Sequence, residues 1–576
     1  MEPHLPMTRG EMDARGWREL DVLLVTGDGY FDHPSHGAAV IGRVLEAAGY
    51  RVGITARPDW RATDDFKKMG RPALFAGVTA GAVDSMLNNY TADLSRRRDD
   101  AYAPGGKGME RPNLATLVYS NRIREAFPGL PVILGGVEAS TRRFAYFDYM
   151  KHTIRRSILV DSRADLLVYG PGEQQVLEIA SRLATNQNLE NIRGTARLHK
   201  KGVKGDLIEL PPYAEIVNEK RRLVSQMKTM ERATRPGFSG RLIQKFEEGT
   251  VLCESPITST TNELDRIHEL PFNRTSHPAY NKPIPALETV RWSVISLRGC
   301  PGGCSFCALA AHQGRRVVSR SHRSIIREIE QLSKHPDFKG TISDIGGPTA
   351  NTYRIETRSK ANCRKCRRPS CLHPKICSNL NVNQGHLLHL LGEVAKIPNV
   401  KNVFLASGIR HDLALTDPDF IRKIATNHTG GHLKVAPEHV APDVLKRMRK
   451  PKIEQFEEFE RLFAKASKKA ELKQYLVPYF IAAFPGCEET EAKLVGSWLL
   501  KRNQRLRQVQ TFIPLPGTMA AAYHAAGIDE KGNKLSIPDT RERKRQKGIL
   551  IETKPRKTTA QKNRRPRRER YQKKPR

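Results

Sequence analysis

Long apolar runs are missing from this sequence. The longest, such as LVPYFIAAF at 476–484, falls well short of the ~20 residues that a helical membrane span requires, so no helical span is expected. The opening MEPHLPMTRGEMDARGW lacks the basic-then-apolar order of a secretory signal, which points to a cytoplasmic protein with no membrane partner. Cysteine is scarce as well: seven of the nine crowd into two short stretches, while Cys253 and Cys487 stand alone. That distribution argues against a disulfide framework and for clustered thiols that hold metal. Acidic residues are few beside basic ones, 61 against 97, for a formal charge of +36. The excess favours polyanion partners, RNA among them, or an anionic substrate.

At 576 residues the chain exceeds what one core usually supports, so two to four domains are expected. DVLLVTG at 21–27 reads as a strand and HGAAVIGRVLEAAGY at 36–50 as a helix closed by Gly49; RVGIT, ALFAGVT, PVILGG and DLLVYG are further strands. This alternation, with Gly-rich strand ends, predicts a doubly wound parallel α/β sheet over residues 1–195. DAYAPGGKGMERP at 100–112 reads as a loop insertion, and residues 196–285 as a connecting region of weak pattern.

The alternation then resumes. VRWSVISL (290–297), GTISDIGG (340–347), VFLASGIR (403–410), HLKVAPEH (432–439), QYLVPYFIAAF (474–484) and VQTFIPLP (509–516) read as six strands. Helices separate them, with Ile325, Ile329 and Leu332 on one apolar face and Phe456, Phe459 and Phe463 on another. Right-handed crossovers would curl six such units into an open six-stranded (β/α)6 partial TIM barrel over 286–525, its active face at the carboxyl ends of the strands. Residues 526–576 read as a basic, disordered tail, since 541–576 alone holds 17 Lys and Arg against three Glu. Such a tail serves either as a solvated extension or as an RNA contact.

RGCPGGCSFC places Cys300, Cys304 and Cys307 at C-x3-C-x2-C spacing just after the first barrel strand. Gly302 and Gly303 let the loop bend, so three thiolates can take three corners of an iron–sulfur cubane and leave its fourth iron without a cysteine. A zinc ion would want a fourth ligand, for which His312 is the nearby candidate; plain buried thiols are the remaining alternative. Cys363, Cys366, Cys371 and Cys377 form a second group, at C-x2-C-x4-C-x5-C, in NCRKCRRPSCLHPKIC. An auxiliary iron–sulfur cluster, a structural zinc and no metal all stay open there. The adjoining Arg364, Lys365, Arg367, Arg368 and Lys375 would offset a tetrathiolate and also suit a phosphate backbone. Asp344, Asn351, Tyr353, His411, Asp412 and His439 fall near strand ends, where either proton transfer or loop hydrogen bonding would use them.

The cysteine spacing with Phe306 before the last cysteine resembles the radical SAM superfamily. The resemblance implies a [4Fe-4S] cluster whose open iron is chelated by the amino and carboxylate groups of S-adenosylmethionine. Gly346 and Gly347 match the glycines of the superfamily's Gly-Gly-Glu segment, with Pro348 where the acid would be. Ser407 and Arg410 occupy the region of ribose and carboxylate contacts, and Glu438 that of a Gly-x-Glu-type element. The blocks TGDGYFDHPSHGAAVIGR, PIPALETVRWSVISLRGCPGGCSFCALAAHQGR, DIGGPTANTYR, SGIRHDL, LKVAPEH, FIAAFPGC and QTFIPLPGT are similar, in order, to the YgiQ family over about residues 15–525. That family implies a cobalamin-binding-like N-terminal domain before the catalytic barrel. The implied reaction is reductive cleavage of S-adenosylmethionine to a 5′-deoxyadenosyl radical, which abstracts hydrogen from an unidentified, anionic or RNA-linked substrate, with a flavodoxin or ferredoxin as electron donor. Cobalamin binders carry Asp-x-His-x-x-Gly, whereas this chain has Asp32, His33, Pro34, Ser35, His36 and Gly37, so bound cobalamin is not expected. The rival reading is a catalytically silent, metal-stabilised RNA-binding protein whose working surface is the second cysteine group and the tail.

Overall fold

A computed structural model describes residues 3–504, 506 and 508–551. Strand Val22–Thr26 pairs in parallel with Val52–Ala56 on one side and Phe75–Thr79 on the other, and the pairing continues through Val132–Leu134 to Leu166–Val168. Val22–Thr26 is buried along its whole length, as befits a parallel sheet covered on both faces. Alternate residues serve separate cores: Leu23 and Val25 enter one, Val22 and Leu24 the other.

The sheet does not stop at residue 195. Thr195–His199 lies antiparallel to Leu166–Val168, and Gly249–Cys253, Arg241–Phe246 and Leu207–Glu209 follow outward, for nine strands among the described residues. The stretch expected to be mere connection therefore builds the far edge of the N-terminal sheet. Its sequence concealed this because Leu242, Ile243 and Gln244 are buried in succession, without the alternation that marks a half-exposed strand.

From residue 293 short strands pair in parallel and in chain order. Ser293–Ile295 pairs with Asp344–Gly346, Thr341–Ile342 with Asn402–Val403, Ile409 with Val435, and His432–Glu438 with Tyr475–Ala482, which pairs with Gln510–Thr511. Helices His322–Leu332, Gly385–Val394, Pro418–Asn427, Ile453–Lys469 and Glu489–Lys501 intervene. Ile325, Ile329 and Leu332, and the Phe456, Phe459 and Phe463 face, enter one shared core, as their spacing predicted.

The chain beyond 526 departs from expectation in its first half. Helix Thr540–Ile551 packs on Glu489–Lys501, with Leu550 and Gln546 fully buried. Gln546 donates to the Cys487 carbonyl at 2.8 Å and its Oε1 accepts from the Ala483 amide at 3.0 Å. Leu550, Gln546 and the buried Arg543, which donates to Ala92 O and Phe512 O, dock this helix, which composition alone did not reveal. Residues 552–576, the rest of the expected tail, lie outside the described residues.

Candidate metal and cofactor site

The first cysteine group sits on a loop whose base is closed by antiparallel pairing of Leu297–Arg298 with Val318–Ser319. Gly299, at φ 83°, lies so close to the Arg316 carbonyl that any Cβ would collide with it. Gly299 N donates to Gln313 Oε1 at 3.0 Å, and Cys300 N to the Gly314 carbonyl at 3.2 Å, fixing the loop against the short helix Leu309–Gln313. On its other side Ser305 N donates to Met448 O at 3.2 Å, while Ser305 accepts from Ala520 N at 2.8 Å.

Gly302 lies beside two of the three thiols: a Cβ there would stand 3.3 Å from Cys300 Sγ and 3.7 Å from Cys304 Sγ. Burial, with Cys304 beside it, pushes the Cys300 thiol up, and burial together with Cys304 and Cys300 drives Cys307 to about 12. Arg410 Nη1 lies 3.7 Å from Cys304 Sγ. Its guanidinium is buried and held by Asp412 at 3.0 and 2.6 Å, and Asn351 brackets its backbone, donating to Arg410 O and accepting from Arg410 N, both at 2.9 Å. A fixed cation thus faces a trio of thiols whose ionised forms would otherwise be disfavoured by burial.

The remaining expected residues gather at neighbouring strand ends. Gly346 is where the second and third strands close, because a Cβ would run into Ser407 Oγ. Asp344 joins them, accepting from Ala406 N at 2.7 Å and from Ser407 N at 3.1 Å, and burial raises its carboxyl above the ordinary range. Gly347 packs on the first strand, with its notional Cβ 2.7 Å from Leu297 O. The Gly346 carbonyl receives Ser296 N at 2.7 Å and Ser296 Oγ at 3.1 Å. Glu438 adopts φ 71° and lies 3.6 Å from Lys450 Nζ; burial pushes its carboxyl up and Lys450 opposes this. Phe306 packs against the core that serves the N-terminal sheet. His312 turns away from the trio: its Nδ1 lies 2.9 Å from Ser140 Oγ, on the N-terminal sheet's side.

The second cysteine group lies against the first. Cys371 N donates to Pro301 O at 3.0 Å, Ser370 Oγ donates to Gly302 O, and Gly303, at φ 57°, leaves no room for a Cβ beside Pro369 O. Two of its thiols are raised by burial and by their fellow cysteines: Cys366 and Cys377 act on Cys363, and Cys377, Cys363 and Cys366 act on Cys371, which is driven to about 11. Arg315 is the cation common to Cys363 and Cys371, and it donates to Arg368 O at 2.9 Å. Among the described residues no three His, Cys, Asp or Glu side chains stand together closely enough to hold a metal ion.

Sequence reasoning missed the fasteners. Arg449, at φ 58°, donates to Gly303 O at 3.2 Å and pairs with Glu231 at 2.7 and 3.0 Å, tying the cysteine loop to helix Arg221–Ala233. Arg449 lies in KRMRKPK, which reads locally as a solvated basic run; only a tertiary partner distinguishes it. Arg315 and Ser370 carried no signal either.

Two expected results arise here. Gly303→Ala should lose ~1–3 kcal/mol from the positive φ and more from the contact with Pro369, read as a lower Tm together with reduced iron retention. Acid should weaken the fold: burial holds His312 and His439 at about 4, below the ~6.5 of an unfolded histidine. Between those values the unfolded chain takes up protons that the folded chain does not, so this contribution is intact above pH 6.5 and shrinks as pH falls towards 4. For His312 that is about 2 kcal/mol between pH 7 and 5, and His312→Gln should flatten the Tm–pH slope correspondingly.

The comparisons with known proteins agree with this architecture. The model described as Radical SAM N-terminal matches residues 4–293, and that described as Radical SAM superfamily matches 294–491. Fold and site together thus define a radical SAM enzyme, the class whose cofactors are a [4Fe-4S] cluster and S-adenosylmethionine. A UPF0313 protein of Rhodopseudomonas palustris is 44% identical over 554 residues, covering 92% of this chain and 82% of that protein. One from Methanocella arvoryzae is 44% identical over 555 residues, covering 95% and 92%. The chain belongs to the UPF0313, or YgiQ, family of radical SAM proteins. In fold it is similar to the radical S-adenosylmethionine methyltransferase TsrM of Kitasatospora setae with cobalamin and a [4Fe-4S] cluster bound, at TM-score 0.52 and 15% identity, over 90% of this chain and 87% of that one.

Proposed function

We propose that Cys300, Cys304 and Cys307 bind three irons of the [4Fe-4S] cluster and that S-adenosylmethionine takes the fourth. The observation that supports this best is the geometry at the trio, with Arg410 Nη1 3.7 Å from Cys304 Sγ and Gly302 beside two thiols. When bound and reduced, the cluster supplies the electron that breaks the C5′–S bond of S-adenosylmethionine and so yields a hydrogen-abstracting radical. The protein's share is positional. The thiols must release their protons to bind iron, and Arg410 offsets the charge that burial makes costly. Because Asp412 already holds Arg410 through two bonds, its role on this reading is to steady the cluster side of the site rather than to reach for the ligand's carboxylate. Ser407, Gly346 and Gly347 would shape the cofactor's bed, and Glu438, kept protonated more readily by burial, would donate there.

The parallel strand series would form an open six-stranded barrel over 286–525, behind an N-terminal domain whose sheet runs past residue 195 to Cys253. On this reading the chain works in the cytoplasm, takes electrons from a flavodoxin- or ferredoxin-like donor, and acts on an anionic or RNA-linked substrate. It works without cobalamin: His33 and His36 are buried, His33 Nε2 lies 2.9 Å from Arg274 Nη1, and His36 lies 3.8 Å from Asp28. The crevice where the strand order reverses, beyond Val22–Thr26 and Phe75–Thr79, is filled by Arg111, which pairs with Asp28 at 2.7 Å and Asp100 at 3.3 Å. The C-x2-C-x4-C-x5-C spacing of Cys363, Cys366, Cys371 and Cys377 supports a second metal there, zinc or iron–sulfur, which would have to draw the four thiols together.

The test is anaerobic reconstitution, iron and zinc counts, and electron paramagnetic resonance of the reduced protein with and without S-adenosylmethionine. A cluster signal perturbed by S-adenosylmethionine is expected. A zinc-only protein that ignores S-adenosylmethionine and binds RNA with steep salt dependence would establish the RNA-binding alternative instead.

A further inference from the structure

A cavity of about 480 Å³ opens between the edge of the N-terminal sheet and the cysteine loop, a volume in the range of small-ligand sites. Four separate segments wall it. They are the Tyr169–Pro171 turn with Glu254–Ser259, the Thr234–Gly240 loop, helix Leu309–Gln313 with Arg316, and the arm carrying Lys360 and Arg364. Its charge is one-sided: Arg143, Arg193, Arg235, Arg316, Lys360 and Arg364 face a single carboxylate, Glu254. Among the described residues none of these six cations is paired with a carboxylate, whereas Arg298, also at the wall, is paired with Glu173 at 2.5 Å.

The floor is the telling part. Arg143 is only 3% exposed, lies 4.9 Å over the Tyr169 ring, and donates to Ser140 O at 2.5 Å, while its Nε has no partner. Arg235 Nε is likewise buried without a partner, its Nη1 bonded to Cys366 O at 2.7 Å. Arg143, which also reaches the Cys253 thiol, and the half-buried Arg235 have no carboxylate partner among the described residues, and a bidentate oxyanion would relieve the desolvation of their charge. Gly237, Ser239, Gly240, Thr258 and Ser259 add small groups that let anionic oxygens approach closely. Arg143, Thr234, Ala310 and Ala311 also line a narrower cleft that ends at Cys304 and Cys307, so the cavity adjoins the cluster loop.

We propose that this cavity is a binding site for a phosphate-bearing small molecule of nucleotide size, held by Arg143 and Arg235 at the floor and by Arg193, Arg316, Lys360 and Arg364 around it. A free small molecule fits better than a nucleic-acid strand, because the cations converge from several walls on one half-open cavity instead of tracking along an extended groove. The inference rests on the cavity alone and needs no cleavage of S-adenosylmethionine.

The experiment is calorimetric titration of the reconstituted full chain with pyrophosphate, for the wild type and for Arg193→Glu/Lys360→Glu. Both side chains are exposed at the rim, outside the cluster site. Saturable binding near one per chain, weakened about tenfold or more in the variant with its Tm unchanged, is the expected result. Equal affinity in the two proteins, or no saturable binding by the wild type, would overturn the proposal. So would binding of RNA in pyrophosphate's place with the same dependence on Arg193 and Lys360. A chain that perturbs its cluster with S-adenosylmethionine yet ignores pyrophosphate would sink this site and leave the enzyme reading standing; the converse would do the opposite.

Discussion

Replacing Cys300, Cys304 and Cys307 together by alanine should remove the cluster signal that responds to S-adenosylmethionine and reduce 5′-deoxyadenosine formation to background. The three thiols lie on one loop, and no fourth cysteine of the group replaces them. Folding should survive. The loop is held by backbone bonds from Gly299, Cys300 and Ser305 to Gln313, Gly314 and Met448, and the substituted side chains carry none of these. Iron that persists in the triple variant would belong to Cys363, Cys366, Cys371 and Cys377. A second variant with those four replaced by serine should then lose that iron, or zinc, while keeping the response to S-adenosylmethionine. A triple variant that still yields 5′-deoxyadenosine at the wild-type rate would defeat the assignment.

Arg410→Ala should be among the most destabilising single changes in the barrel. Arg410 and Asp412 are 8% and 7% exposed, and removing the guanidinium strands a buried carboxylate at a penalty of ~3–5 kcal/mol. Burial pushes the Asp412 carboxyl up, and Arg410 with His411 and Lys450 outweighs it, leaving the group below its ordinary value. Because the folded value is depressed, this stabilisation is present above the unfolded carboxyl's ~3.9 and is lost as pH falls through the folded value; at neutral pH it is intact. Arg410→Leu/Asp412→Leu, which leaves neither charge behind, should recover most of the stability but not the cluster. Differential scanning calorimetry separates the two effects from iron content. A single variant as stable as the wild type would show that water reaches Asp412 and that the pair is not closed off.

The two variants also distinguish how the site is built. On the proposed assignment the thiols would provide ligands and Arg410 charge and rigidity through Asp412 and Asn351, so loss of Arg410 should lower cluster retention by about 10- to 100-fold, as is typical when a supporting contact behind a metal ligand is removed.

Much of this was legible without coordinates because it depends on short spacing or on periodicity. Cys300, Cys304 and Cys307 are near in sequence, so any compact loop brings them near in space. Phe456, Phe459 and Phe463 share a face because a helix turns every 3.6 residues. The same locality explains the parallel strands, each an apolar run of the expected length. Other features depend on partners far along the chain. The strands after residue 195 have a mixed burial pattern that becomes regular only when paired with Leu166–Val168, and helix Thr540–Ile551 looks like tail until Gln546 reaches Cys487 and Ala483.

The sequence by itself determined the class of the protein, the grouping of Cys300, Cys304 and Cys307, the strand–helix alternation before residue 195 and after 290, and the basic charge, since each is a property of neighbouring residues. Tertiary structure alone decided that Arg410 faces Cys304, that Arg449 ties the cysteine loop to Glu231, that the second cysteine group lies against the first, and that six cations without a carboxylate partner among the described residues converge on one cavity. Those facts join residues up to hundreds of positions apart, and a charge's meaning depends on what it faces: the same arginine is a solvated surface group beside water, a fastener beside Glu231 and an anion site beside other arginines.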